Sequence, residues 1–191
     1  MARLFWWCVM GIESPTGMVH RGAARIGFSA QGDVGSPAHS PESALRDCLT
    51  RQLGERPRRL GVFAQLALAG AMACRDRLRA RNIEIPTQAA LLVVSEYSVW
   101  TELDPRIAAF NAQGQAPTPY EFLCVQGNAA CLAVAQRLKI AGDVALLACE
   151  DRSQSIAAAA LAQDAPALLF ARVEMDDREW ISEWDYFSRD G

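Results

Sequence analysis

Histidine is scarce. Of 191 residues only His20 and His39 carry an imidazole, and both fall in one early stretch rich in Gly, Pro and Ser. That scarcity excludes a histidine-rich metal centre. It also leaves Ser153 and Ser155 without a nearby general base, so serine nucleophile chemistry is not expected. The six cysteines, Cys8, Cys48, Cys74, Cys124, Cys131 and Cys149, make no C-x-x-C pair, which removes a structural zinc site. The chain is also long and rich in core residues, so it needs no disulfide framework; reduced thiols and a cytoplasmic setting are the expectation. No excess of one charge is present: the net charge is −3, which gives no footprint for nucleic acid or an anionic membrane. No apolar run approaches the roughly 20 residues of a membrane span. Leu4 to Ile12 is followed at once by Glu13 and lacks a small-x-small cleavage site, so it reads as a strand rather than a signal segment. Gly11 to Gly17 lacks the G-x-G-x-x-G spacing and no Walker sequence occurs, so no nucleotide and no other cofactor is predicted.

What is present is a buried α/β rhythm over one domain, residues 1–191. Leu4 to Met10, L-F-W-W-C-V-M, is a continuous apolar run of the kind covered on both faces, and is expected to be the central strand. Residues 14–40 show no helical period and read as a long surface loop, with Arg25 to Ser29 as a short extended piece. Ser40-Pro41-Glu42 supplies an N-cap, a first-turn proline and an early carboxylate, which predicts a helix over Pro41 to Leu53 stopped by Gly54. Val62 to Cys74 is apolar almost all round before turning charged at Arg75 to Arg81, a helix buried for most of its length and ended by Asn82. The arginines at Arg56, Arg58, Arg59 and Arg75 to Arg81 are interrupted by Glu55 and Asp76 and read as solvated surface.

Ala89 to Val94 is a second buried strand, with Ser95-Glu96-Tyr97 just beyond it where α/β proteins place functional loops. A short helix over Asp104 to Asn111 and a Gly114 to Pro119 linker follow. Pro117 to Ala135, P-T-P-Y-E-F-L-C-V-Q-G-N-A-A-C-L-A-V-A, reads as a proline-led extended strand running into a helix from Asn128 to Leu138. Strands at Val144 to Ala148 and Ala167 to Val173 flank a helix from about Asp151 to Leu161. Residues 176–191 form an acidic, aromatic tail, in which Asp176, Asp177 and Glu179 read as solvated rather than metal-binding.

Five segments in this order carry a resemblance: R-R-L-G-V-F-A-Q-L-A-L-A-G-A-M at Arg58 to Met72, V-V-S-E-Y at Val93 to Tyr97, P-T-P-Y-E-F-L-C-V-Q-G-N-A-A at Pro117 to Ala130, G-D-V-A-L-L-A-C at Gly142 to Cys149, and A-L-L-F-A-R-V-E at Ala167 to Glu174. Together they resemble the amino-terminal half of the β-ketoacyl synthases, and more closely the short stand-alone β-ketoacyl synthase-like amino-terminal domains. The resemblance implies a layered thiolase-like half-fold: a mixed sheet of about five strands with helices on both faces. It also implies a setting in fatty-acid, polyketide or aryl polyene type biosynthesis. Its expected partners are a second copy of the chain or a full-length condensing enzyme, and an acyl carrier protein.

In a condensing enzyme a cysteine sits between a strand and the amino-terminal end of a helix, where unpaired N–H groups favour thiolate. Cys149 occupies that place here and is the candidate catalytic residue. Glu150 and Asp151 follow directly and oppose its ionisation. Where family members often carry histidine, this chain has Gln126-Gly127-Asn128, and the histidines of the family's carboxy-terminal half have no counterpart. The resemblance therefore implies a non-catalytic or partner-dependent protein. The alternatives are an acyltransferase or β-ketoacyl-acyl carrier protein synthase that uses Cys149, and an acyl-chain or small-molecule binding module.

Overall fold

The computed structural model describes residues 15, 17–29, 40–55, 60–96, 100–114, 118–119, 121, 126–148, 151–175 and 179–189. Two runs of β-branched and aliphatic residues form its centre. A-L-L-V-V-S makes β2 (Ala90–Ser95), buried at every position, and A-L-L-F-A-R-V-E-M makes β4 (Ala167–Met175), buried over its first five. The two pair in parallel from Ala90↔Leu168 to Val94↔Arg172. A strand with helices on both faces can be apolar throughout, which is why neither run alternates in sequence.

Around this pair the described residues form a sheet of five strands in the order β1-β5-β4-β2-β3. β3 (Val144–Ala148) is parallel to β2, while β5 (Glu179–Ser188) runs antiparallel to both β4 and β1 (Val19–Ser29). Among the described residues the longer helices are α1 (Pro41–Leu53), α2 (Val62–Arg79), α3 (Trp100–Gln113), α4 (Gly127–Leu138) and α5 (Asp151–Ala162).

The period-2 pleat sorts the strand side chains between two cores. Leu91, Val93, Leu169, Ala171, Trp184 and Tyr186 face α1, α2 and α4; Leu92, Val94, Leu168, Phe170 and Phe187 face α5. Each fully buried leucine or aromatic ring contributes about 1.5–3 kcal/mol, so these two layers supply most of the driving force. A mixed five-stranded sheet with helices on both faces is the expected fold class.

α1 has the predicted bounds, with Ser40 Oγ accepting from Ser43 N at 3.2 Å and Gly54 closing it at φ +74°. α2 touches β5 most closely at Gly70, where an added Cβ would lie 2.2 Å from Ser182 Oγ and 2.4 Å from Trp184 Nε1. Only glycine permits that approach.

Three expectations need correction. Residues 14–40 are not one loop: Val19–Ser29 is an eleven-residue edge strand paired with β5. Its alternation of Ala24, Ile26 and Phe28 toward the core is diluted by Gly22, Gly27 and two arginines, and its register partners lie 150 or more positions away. The 176–191 tail holds β5, whose Trp184 and Tyr186 are fully buried and whose acidic residues sit on the other face or pair across strands. Finally, Thr118 is no part of an extended lead-in. Thr118 Oγ1 accepts from Glu121 N at 3.2 Å, and Thr118 N donates to Glu121 Oε2 at 2.8 Å, a capping box with Pro119 at the first helical position. Leu4 to Met10 lies outside the described residues; among those described, the central strand is β4.

Candidate functional site

At the carboxyl ends of β2 and β3 the chain crosses from one face of the sheet to the other. From β2 the chain travels outward to β3 through α4, which packs on the α2 face. From β3 it travels back across β2 to β4 through α5 on the opposite face. Right-handed crossovers place helices this way when the direction of travel reverses. Ligand sites of open α/β sheets lie outside the carboxyl ends of strands at such a switch point. Here that point is between Ser95 and Ala148, which are register partners at the ends of β2 and β3.

Ser95 is fully buried, and its hydroxyl donates to Glu174 Oε2 at 3.1 Å. The backbone N–H of Glu96 donates to the other carboxylate oxygen of Glu174 at 2.9 Å. Arg172 approaches the same oxygen at 3.7 Å. Glu174, at the end of β4, therefore fixes the exit of β2 with both oxygens. Of the expected trio, Ser95 and Glu96 are thus tied into the sheet end rather than displayed by a free loop; Tyr97 lies outside the described residues.

Cys149 also lies outside the described residues. By sequence it falls in the junction between β3, which ends at Ala148, and α5, which begins at Asp151. The three described cysteines are all unpaired with one another. Burial pushes the Cys74 thiol up to about 12 and that of Cys131 up to about 11, and it raises Cys48, with Arg51 opposing. Cys131 Sγ donates to the Ala145 carbonyl at 3.6 Å, a packing role under β3. These thiols stay protonated near neutrality and are poor nucleophiles.

At the amino-terminal end of α4, Gln126 is the N-cap, without a side-chain bond to the helix; Gly127 is buried and Asn128 exposed. Cys8, Cys124, His39, Asp176 and Asp177 lie outside the described residues. Among those described, no cluster of His, Cys, Asp and Glu has metal-binding geometry, and no helix is long and apolar enough to cross a membrane.

His20 is the residue whose surroundings the sequence did not reveal. It sits on β1, and its Nε2 lies 2.9 Å from Oδ1 of Asp185 on β5, with its ring edge-on to Phe187 at 5.2 Å. Asp185 is 6% exposed, and desolvation raises its pKa against the lowering effect of the His20 hydrogen bond. The aromatic alternation W-I-S-E-W-D-Y-F was a usable signal for the strand. No local signal pairs it with residue 20. Asp185 is opposite Phe170 in β4, four residues from Glu174, so the imidazole stands well away from the switch point.

No protein-family model matches the chain. No curated protein sequence matches it either. Among solved structures, it is similar to a chain of a ketosynthase in complex with its chain length factor from Xenorhabdus doucetiae, with a TM-score of 0.59 and 13% identity over 92% of this chain and 80% of that one. It is also similar to a chain of the ishigamide ketosynthase/chain length factor, with a TM-score of 0.62 and 12% identity over 90% of this chain. It spans 62% of that second chain. The chain thus has the thiolase-like α/β fold of the ketosynthase and chain length factor proteins.

Proposed function

We propose that this chain is a ketosynthase-like protein that acts with a condensing-enzyme partner in fatty-acid, polyketide or aryl polyene type chain assembly, and does not condense on its own. The observation that carries this reading is the shared fold with chains of two structures, each named as a ketosynthase together with a chain length factor. Two features support it. The imidazole of His20 is committed to Asp185 away from the switch point, so among the described residues no histidine stands there to support decarboxylation. Apolar side chains also stand in water: Leu132 on α4 is 60% exposed, and Ile107 and Phe110, one turn apart on α3, are each above 40%. Such surface is the raw material of an interface.

The test is co-expression with a condensing enzyme encoded beside it, followed by size-exclusion chromatography with light scattering. A stable complex of defined stoichiometry is expected. A chain that stays monomeric at micromolar concentration, alone and with that enzyme, overturns the proposal. A homodimer without the enzyme assigns the surface to a second copy.

A second reading, acyl transfer through Cys149, draws on its sequence position between the end of β3 and the start of α5. Thiol alkylation at pH 7 followed by peptide mass mapping separates the two. Preferential labelling of Cys149, with Cys74 and Cys131 spared by burial, supports a reactive thiol. Absence of Cys149 labelling removes it.

A further inference from the structure

An edge strand presents alternate backbone N–H and C=O groups to any strand that arrives, and the two edges of this sheet are treated differently. At β1 the last turns of α2 come down on the strand. Arg77 Nη1 donates to the Ala23 carbonyl at 2.9 Å, and Arg81 Nη1 donates to the Arg21 carbonyl. Gly22 lies between them, where a Cβ would meet Leu78 Cδ2 at 3.2 Å and Arg81 Nη1 at 3.3 Å, a close fit against both side chains. The register also breaks between His20 and Gly22, a bulge that disrupts the ladder. Further along, Arg25 is held across the strand by Glu183 at 3.1 Å. An arriving strand would have to displace two permanently charged donors and would find its own register broken.

β3 is the opposite case. Leu91 N donates to the Asp143 carbonyl at 2.8 Å, so alternation turns the backbone groups of Val144, Leu146 and Ala148 away from β2. V-A-L-L-A carries no charge, and Val144 is 38% exposed. Among the described residues nothing bonds to that side.

We propose that Arg77 and Arg81 are edge guards: they close β1 to strand addition by a second copy of this chain. The proposal builds on the partner-dependent reading but has its own readout, the difference between parent and variant, whatever state the parent adopts. The experiment compares the full chain with R77Q/R81Q, and with R75Q/R79Q as a charge-matched control whose arginines bond to no β1 carbonyl among the described residues. Each is studied by light scattering at rising concentration and by hydrogen exchange. R77Q/R81Q is expected to show roughly a doubling or more of weight-average mass, growing with concentration because two open edges propagate a sheet, and new exchange protection over Val19–Ser29. The control is expected to match the parent. An unchanged mass, an equal rise in the control, or assembly without protection of β1 overturns the proposal. Should circular dichroism show that the double variant is unfolded, R81Q alone is read by the same criteria.

Discussion

Gly70 shows how a single missing methyl group can decide a packing distance. Gly70→Ala places a Cβ within 2.4 Å of Trp184 Nε1 in a site where helix and sheet are both rigid and buried. The expected cost is about 3 kcal/mol, the upper range for overpacking, read as a lower denaturant midpoint at constant slope. A change under roughly 1 kcal/mol contradicts this account of the contact. Asp185 supplies a test in pH. Its folded pKa is raised from 3.8 chiefly by desolvation, so its ionisation is disfavoured in the folded state. Stability from this group is therefore fullest below its ordinary pKa and is lost as pH rises through the folded value. Asp185→Asn, which keeps a hydrogen-bonding group beside His20, is expected to flatten the stability profile above about pH 4. Denaturation midpoints between pH 4 and 7 that fall as steeply in the variant as in the parent rule this out.

At the scale of elements, α1 was legible because its signals are local: Ser40 as cap, Pro41 in the first turn and Gly54 at the end act within a few residues. Ser40→Ala is expected to cost about 1 kcal/mol, measured by chemical unfolding, since it leaves the Ser43 N–H without its intramolecular acceptor. α2, β2 and β4 were legible for a related reason, each being a run whose burial is written in its own composition, and β3 and α5 as apolar runs of strand and helix length. β1 and β5 were not. Their polar and aromatic residues make sense only as a ladder in which Arg25 meets Glu183 and Ala24 meets Trp184, and no window of either strand contains its partner. The site shows the same division. Ser95 and Glu96 could be placed at a strand end, yet the Glu174 carboxylate that fixes both comes from a strand nearly 80 positions on.

Across the whole molecule, stability should fall from the centre of the sheet to its edges. β2 and β4 are covered by helices on both faces and flanked by strands, whereas β3 has, among the described residues, a strand on one side only and exposed ends. Hydrogen exchange by mass spectrometry is expected to find the slowest amides in Leu91–Val94 and Leu168–Ala171, and faster ones in Val144–Ala148. The reverse order would contradict this gradient. The guarded β1 edge and, among the described residues, the unpaired β3 edge are likewise properties of the assembled sheet. Neither Arg77 nor Arg81 differs in sequence context from the arginines beside it.

The sequence by itself determined the α/β class, the span of the buried helices and parallel strands, and the absence of zinc-site spacing and nucleotide-binding motifs, because each rests on residue type and short-range spacing. Only the tertiary structure decided that the two terminal strands close the sheet, that His20 is spent on Asp185, that Glu174 holds the switch point and that arginines seal one edge. These depend on contacts between residues 50 to 170 positions apart, and the free energy that selects such pairings appears only when the whole sheet is in register.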